Sequence, residues 1–203
     1  MRKLAVLVFQ TLDGVMQAPS QPEEDMSGGF TYGGWAGQYW NDVMEQVSQE
    51  AMAQPYDLLL GRQTYTLFAA HFASLNNDNP IARQLNNAKK YVVTSTEEPL
   101  KWPHSVKISG NIVDYIIQLK KQSGLLLQVH GSWQLIQTLL ANQLVDELRL
   151  WTFPVIVGSG KRLFTEGSPA QQFHLLRSKV GESGVLMHFY QKHGDNNTTG
   201  EIE

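Results

Sequence analysis

Three short stretches place glycine, hydroxyl and charge directly after an apolar run. They are "DLLLGRQTY" (Asp57 to Tyr65), "YVVTST" (Tyr91 to Thr96) and "LLLQVHGSWQL" (Leu125 to Leu135). In the first, an apolar strand ends at Gly61 and a helical pattern starts with Arg62, Gln63 and Thr64. Glycine lets a ligand approach the backbone. A helix start presents free N–H groups and a partial positive charge, which favour phosphate. Arg62 adds a cation with bidentate geometry and Thr64 a hydroxyl. A glycine turn beside a solvated arginine accounts for the same residues. In the second stretch the hydroxyls of Thr94, Ser95 and Thr96 follow a strand, and alone they read as a polar turn. In the third, Gly131 and Ser132 separate a strand from a helix that opens with Trp133 and Gln134, and Ser132 suits the N-cap of that helix. Together the three corners suit an elongated dinucleotide, with adenosine, pyrophosphate and nicotinamide each meeting one of them.

Two catalytic motifs fail on inspection. A nucleophile elbow needs G-x-S-x-G, but His130 and Gln134 stand two residues either side of Ser132. "VGSGKRLF" (Val157 to Phe164) resembles a phosphate loop. Val155 stands where its first glycine belongs, and Arg162 takes the Ser/Thr position.

The elements that must carry the corners follow from hydropathy. Lys3 to Thr11 is a near-continuous apolar strand of the kind buried in a covered sheet. Leu12 to Gly34 is a long loop rich in glycine and proline, a length that usually marks a functional or mobile segment. Helical spacing covers about 39–53, 62–70, 112–122 and 133–141, with a short helix before Lys90. Strands are predicted over 57–60, 90–94, 106–108, 125–129 and 148–153. The stretches 173–180 and 185–192, joined through "GESG", read as an antiparallel hairpin. Strands alternating with helices and closed by a hairpin predict an α/β fold with a covered sheet of mixed strand direction. In such sheets ligands sit beyond the carboxyl ends of the strands.

The whole chain sets limits. Its 203 residues, 42% hydrophobic and 17% charged, suit one globular domain. We place it at residues 1–192, followed by a polar tail over 193–203. A net charge of −3 argues against a nucleic-acid surface. There is no cysteine, hence no disulfide or thiolate chemistry. No apolar run approaches the roughly 20 residues of a membrane span. These features predict a cytoplasmic protein with no nucleic-acid or membrane partner, and they call for no metal.

The motifs "QTLDGV", "LLLGRQTY", "YVVTST", "VHGSWQLIQTLLANQLVDELRLW" and "FPVIVGSGKRLF" occur in that order across roughly residues 3 to 191. In this the chain resembles the dihydrofolate reductase-like proteins that include the C-terminal reductase domain of bacterial riboflavin biosynthesis. The resemblance implies a three-layer fold with a mixed, mostly parallel sheet of about eight strands. It also implies NADPH lying across the carboxyl ends of those strands. By motif, Gly61, Arg62 and Thr64 would hold the phosphate region, and Thr94 and Ser95 the adenosine ribose and its 2′-phosphate. Gly131, Ser132, Trp133 and Gln134 would meet the pyrophosphate and nicotinamide. The chain departs from the pattern at Gly131-Ser132, where dihydrofolate reductases pair two glycines. It departs again at His130, where riboflavin reductases carry glutamate. An acid on the first helix helps protonate the pterin in dihydrofolate reductases. Asp42 and Glu45 stand in that region, and a solvated helix position explains either one.

The expected chemistry is hydride transfer from NADPH to a C=N or C=O bond of a small, flat pterin- or aminopyrimidine-like heterocycle. Asp13 and His130 are the candidate catalytic residues, since histidine can donate a proton near neutral pH. Each has a plainer reading: Asp13 as a turn former, His130 as a packed imidazole. Trp151 could stack on the heterocycle or belong to the core. Trp35 and Trp40 could form a lid or anchor the loop. The alternative function is a nucleotide-binding protein of the same fold with little or no turnover. The family also implies a homodimer, for which the apolar "LWTFPVIVG" segment is a candidate interface.

Overall fold

The computed structural model describes residues 1–75 and 79–194. Most of the expected connector at Asn76–Pro80, and the tail beyond residue 194, lie outside the described residues. Among the described residues, fifteen regular elements include eight strands and five α-helices. They run β1 (Leu4–Thr11), α1 (Asp42–Met52), β2 (Tyr56–Gly61), α2 (Arg62–Phe72), α3 (Pro80–Asn87), β3 (Lys90–Val93) and β4 (Ser105–Ile108). Then follow α4 (Ile112–Lys121), β5 (Leu126–His130), α5 (Trp133–Ala141), β6 (Glu147–Phe153), β7 (Phe173–Val180) and β8 (Leu186–Lys192). Single 3-10 turns occupy Ser27–Gly29 and Gly37–Tyr39. The first α-helix therefore starts at Asp42, because Asn41 caps it, rather than near Tyr39.

All eight strands join one sheet in the order β4-β3-β2-β5-β1-β6-β8-β7. The pairs from β4 to β6 are parallel, and β8 and β7 add antiparallel to β6. The fold is thus α/β with a mixed, mostly parallel sheet closed by a hairpin. β1 lies between β5 and β6, both of which it meets in parallel. Its alternate side chains serve two layers. Leu4, Val6 and Val8 pack with Ile116 and Leu119 of α4 and Leu135, Ile136 and Leu139 of α5. On the opposite face Phe9 packs with Trp151, Phe153 and Met187, beneath Met44 and Val47 of α1. Farther along that face Tyr56, Leu58 and Leu60 of β2 meet Tyr65 of α2, Leu85 of α3 and Trp102. No helix among the described residues is long and apolar enough to cross a membrane.

Helix starts differ in a way that bears on the corners. Asn41, Asn79 and Asn111 cap α1, α3 and α4. Each side chain accepts a backbone N–H three residues on, from Met44, Ala82 and Asp114 respectively. No side chain caps α2 or α5.

Candidate coenzyme and substrate site

The three corners follow β3, β2 and β5, which are consecutive neighbours in the sheet, so they share one carboxyl rim. Two of them touch. The Gly61 N–H donates to Ser132 Oγ at 2.9 Å, and Ser132 Oγ–H donates to Thr64 Oγ1 at 2.8 Å. A side chain at Gly61 would bring its Cβ to 3.3 Å from Ser132 Oγ, tighter than ordinary contact. Ser132 therefore does not cap its own helix as expected. Gly131 (φ 55°) and Ser132 (φ 64°, ψ 62°) are both left-handed, and this turns the hydroxyl away from α5 toward the start of α2. The helix keeps its uncapped N–H groups, and the left-handed serine carries a strain of about 1–2 kcal/mol. Ser132→Ala leaves the Gly61 N–H without its partner. We expect the variant to lose about 1–3 kcal/mol in urea denaturation.

The remaining corner holds Thr94, whose N–H donates to the Ile108 carbonyl at 3.1 Å. The Thr94 and Thr96 hydroxyls lie 3.2 Å apart. Ser95 and Thr96 are exposed. Arg62 reaches across to this loop: Nη2 donates to Glu98 Oε2 at 2.7 Å, and Nη1 to the Glu98 carbonyl at 3.2 Å. Gln134 is exposed on the first turn of α5. Trp133 is half-buried, and its indole N–H donates to the Arg162 carbonyl at 2.8 Å.

Asp13 sits in the turn after β1 and acts as a clamp. Its carboxylate accepts from Thr11 Oγ1 at 2.6 Å and from the Gly158 and Val157 N–H groups at 2.9 and 3.3 Å. Arg162 Nη2 lies 3.4 Å from Oδ2. Burial alone would raise its pKa, but the hydrogen bonds from Thr11, Gly158 and Val157 together hold it below the ordinary 3.8. The carboxylate is charged and engaged as an acceptor, which suits the turn-forming reading and not proton donation. The "GSGKRLF" segment is thereby tied to the first turn, as the isolated Val15–Arg162 bridge also shows.

His130 ends β5 beneath the helices and is 9% exposed. Its Nε2 lies 2.9 Å from Gln128 Oε1. Gln128 Nε2 points to the Ala51 carbonyl, so the amide oxygen faces the imidazole and Nε2 carries the hydrogen. Burial, with a smaller contribution from Arg149, pulls the His130 pKa down to about 4. The imidazole is neutral at neutral pH, packed against Tyr56 and Phe68. The proton-donor expectation for His130 meets this obstacle: a buried, uncharged ring has no ionised form to offer near pH 7.

Trp151 is fully buried, which fits its reading as a core residue. Antiparallel β8 and parallel β1 flank its strand, and its ring stacks on Phe9 (centroids 5.0 Å, 21°) and on Trp40 (6.0 Å, 27°). The outward end of this stack is Trp40, 43% exposed. Leu7 pairs with His130, so Phe9 stands two residues closer to the rim on the same face as Leu7. Asp42 is exposed in the first turn of α1, where a carboxylate complements the helix dipole. The Leu12–Gly34 loop has a fixed base. Gln17 bonds the Asp25 and Ser27 carbonyls, Trp35 Nε1 donates to the Gln17 carbonyl, and Lys161 pairs with Asp25 at 2.6 Å. Trp35 is thus an anchor. Phe9 and Glu98 were missed as candidates in the sequence, since only the strand register and the fold bring them to the site.

Two uncapped helix starts, a bridging hydroxyl and an arginine thus meet at one rim of a dihydrofolate reductase-like α/β fold. The chain belongs to the RibD C-terminal domain family, whose model matches residues 2–187. It is 29% identical over 201 residues to the uncharacterized protein YyaP of Bacillus subtilis (strain 168), covering 95% of this chain and 96% of that one. Among solved structures it is similar to a protein ascribed to riboflavin biosynthesis from Shewanella sp. PV-4. That match has a TM-score of 0.70 at 21% identity and covers 94% of this chain and 99% of the other. It is also similar to Enterococcus faecalis dihydrofolate reductase, solved with NADP(H) and RAB-propyl. There the TM-score is 0.59 at 14% identity, covering 95% and 97% of the two chains.

Proposed function

We propose that this chain is a reductase that seats NADPH along the shared rim and transfers a hydride to a small, flat heterocycle of the pterin or aminopyrimidine class. The observation that carries this reading is the contrast among helix starts. Asparagine caps α1, α3 and α4, while α2 and α5 keep their N–H groups and share one hydroxyl, Ser132 Oγ. Such N–H groups suit phosphate oxygens. Gly61, Arg62 and Thr64 would hold one phosphate region. Gly131, Ser132, Trp133 and Gln134 would hold the pyrophosphate and nicotinamide side, and Thr94 and Ser95 the adenosine ribose and its 2′-phosphate. Bound NADPH would supply the hydride. The chain's own residues would seat it, and the Trp40 and Phe9 rings, tilted to each other and both packed on Trp151, would offer the heterocycle an apolar wall.

A second reading has a specific observation behind it. Asp13 is charged and clamped, and His130 is buried and neutral, so neither ionisable candidate is ready to give a proton. In that reading the protein binds the nucleotide with little turnover.

One titration and one assay separate the two. We expect NADPH to quench tryptophan fluorescence and, at a hundredfold excess over Kd, to stabilise the fold by about 2.7 kcal/mol. Oxidation with a panel of pterins, pyrimidines, quinones and carbonyls supports the reductase. Saturable binding with no oxidation supports the binding protein. Absence of any thermal shift or quenching with either reduced nicotinamide removes both.

A further inference from the structure

We propose that Glu98 sets the coenzyme preference of this site by competing with a 2′-phosphate for Arg62. The inference rests on the coenzyme reading above. Arg62 is the cation that stands between the α2 corner and the loop after β3. Its guanidinium is already held by that loop, through the Glu98 carboxylate at 2.7 Å and the Glu98 carbonyl at 3.2 Å. The second cation of the same region, Lys107, is held by Glu97 at 2.9 Å. Arg62 and Lys107 are therefore each matched by an acid of the loop itself. Ser95 and Thr96 are exposed in the same loop.

This pairing acts differently on the two reduced nicotinamides. A ribose 2′-phosphate carries close to two negative charges. To reach Arg62 it must displace the Glu98 carboxylate and then remain near that anion. A free ribose 2′-hydroxyl has no charge to repel. It can donate to a carboxylate, and acidic residues accept from it in this way at NAD-type riboses, whereas arginine serves the 2′-phosphate. Glu98 is 74% exposed at its side chain and Arg62 is 24% exposed, so the carboxylate can swing away while the arginine stays in place. An exposed ion pair of this kind is weak. The competition therefore weakens NADPH binding without abolishing it, and it leaves NADH binding almost untouched.

The test is a pair of fluorescence-quenching titrations, NADPH and NADH, on the full chain and on Glu98→Gln, Glu97→Gln and the double variant Arg62→Met with Glu98→Gln. Glu98 is an exposed loop residue, and unchanged melting temperatures check that the variants fold. We expect Glu98→Gln to tighten NADPH about three- to fivefold, the size an exposed, screened charge allows, with NADH shifting less than about twofold. Glu97→Gln, which leaves Arg62 paired, should move NADPH by much less. Adding Arg62→Met should cancel the gain. An unchanged NADPH-to-NADH ratio in Glu98→Gln overturns this assignment alone. So does an equal gain in Glu97→Gln, which would show a diffuse charge effect. If no variant binds either nucleotide, the coenzyme reading falls and this assignment with it.

Discussion

Arg2→Ala should destabilise the protein by about 3–5 kcal/mol, the usual cost of stranding one partner of a buried ion pair. Arg2 is 5% exposed, and the Asp57 side chain facing it is 13% exposed. The guanidinium also donates from Nε to the Leu125 carbonyl at 2.7 Å, reaches Tyr91 Oη at 3.5 Å and lies over the Tyr91 ring. One side chain thus joins the residues just ahead of β1 to the amino-terminal ends of β2 and β5 and to β3. Gly124 makes room for it: a Cβ there would come within 2.9 Å of Arg2 Nε. Urea denaturation at neutral pH checks the magnitude. Replacing both partners, Arg2→Leu with Asp57→Leu, should recover part of the loss, because no carboxylate is then left buried alone. A loss below about 1 kcal/mol in the single variant would mean that water reaches Asp57 freely.

The second large effect is on acid stability. The His130 pKa is lowered from 6.5 to about 4 in the folded protein, chiefly by burial and then by Arg149. Between these values the unfolded chain takes up a proton that the folded chain refuses. Stability is therefore complete above about pH 6.5 and falls as pH drops toward 4. The full loss is about 3 kcal/mol, of which about 2 kcal/mol appears between pH 7 and pH 5. Carboxylates contribute to acid unfolding as well, so the informative quantity is the difference between chains. His130→Leu should lose about 2 kcal/mol less than the parent between pH 7 and pH 5, whatever its stability at pH 7. Equal pH slopes for the two proteins would show that the imidazole is protonated while folded.

What the sequence made legible and what it hid divide along contact range. The helix Trp133–Ala141 and the strand Phe173–Val180 fall where periodicity and turn residues placed them, because both signals are local. The three corners were likewise visible as glycine and hydroxyls after apolar runs. Side-chain direction was not. Ser132 has the composition of an N-cap, yet two successive left-handed residues aim its hydroxyl at Gly61 and Thr64, both distant in sequence. Asp13 looked like a turn residue open to a substrate, and its fixed state depends on Val157, Gly158 and Arg162. Trp151 lies on an apolar strand whose flanking by β1 and β8, set by strand order, could not be read from its own neighbours. Glu98 carries no motif; only the fold brings it to Arg62.

The position of β1 has a consequence for assembly. Leu4 pairs with Leu127 and Ala5 with Glu147, so the strand is translated long before either neighbour exists. Contacts this distant are closed late and slowly. Until β5 and β6 emerge, a strongly apolar ribbon with two open edges waits in water, the kind of segment that chaperones hold and that aggregates when they do not. Nascent chains halted before β6 should be the most dependent on such help, and release of that strand should end the dependence.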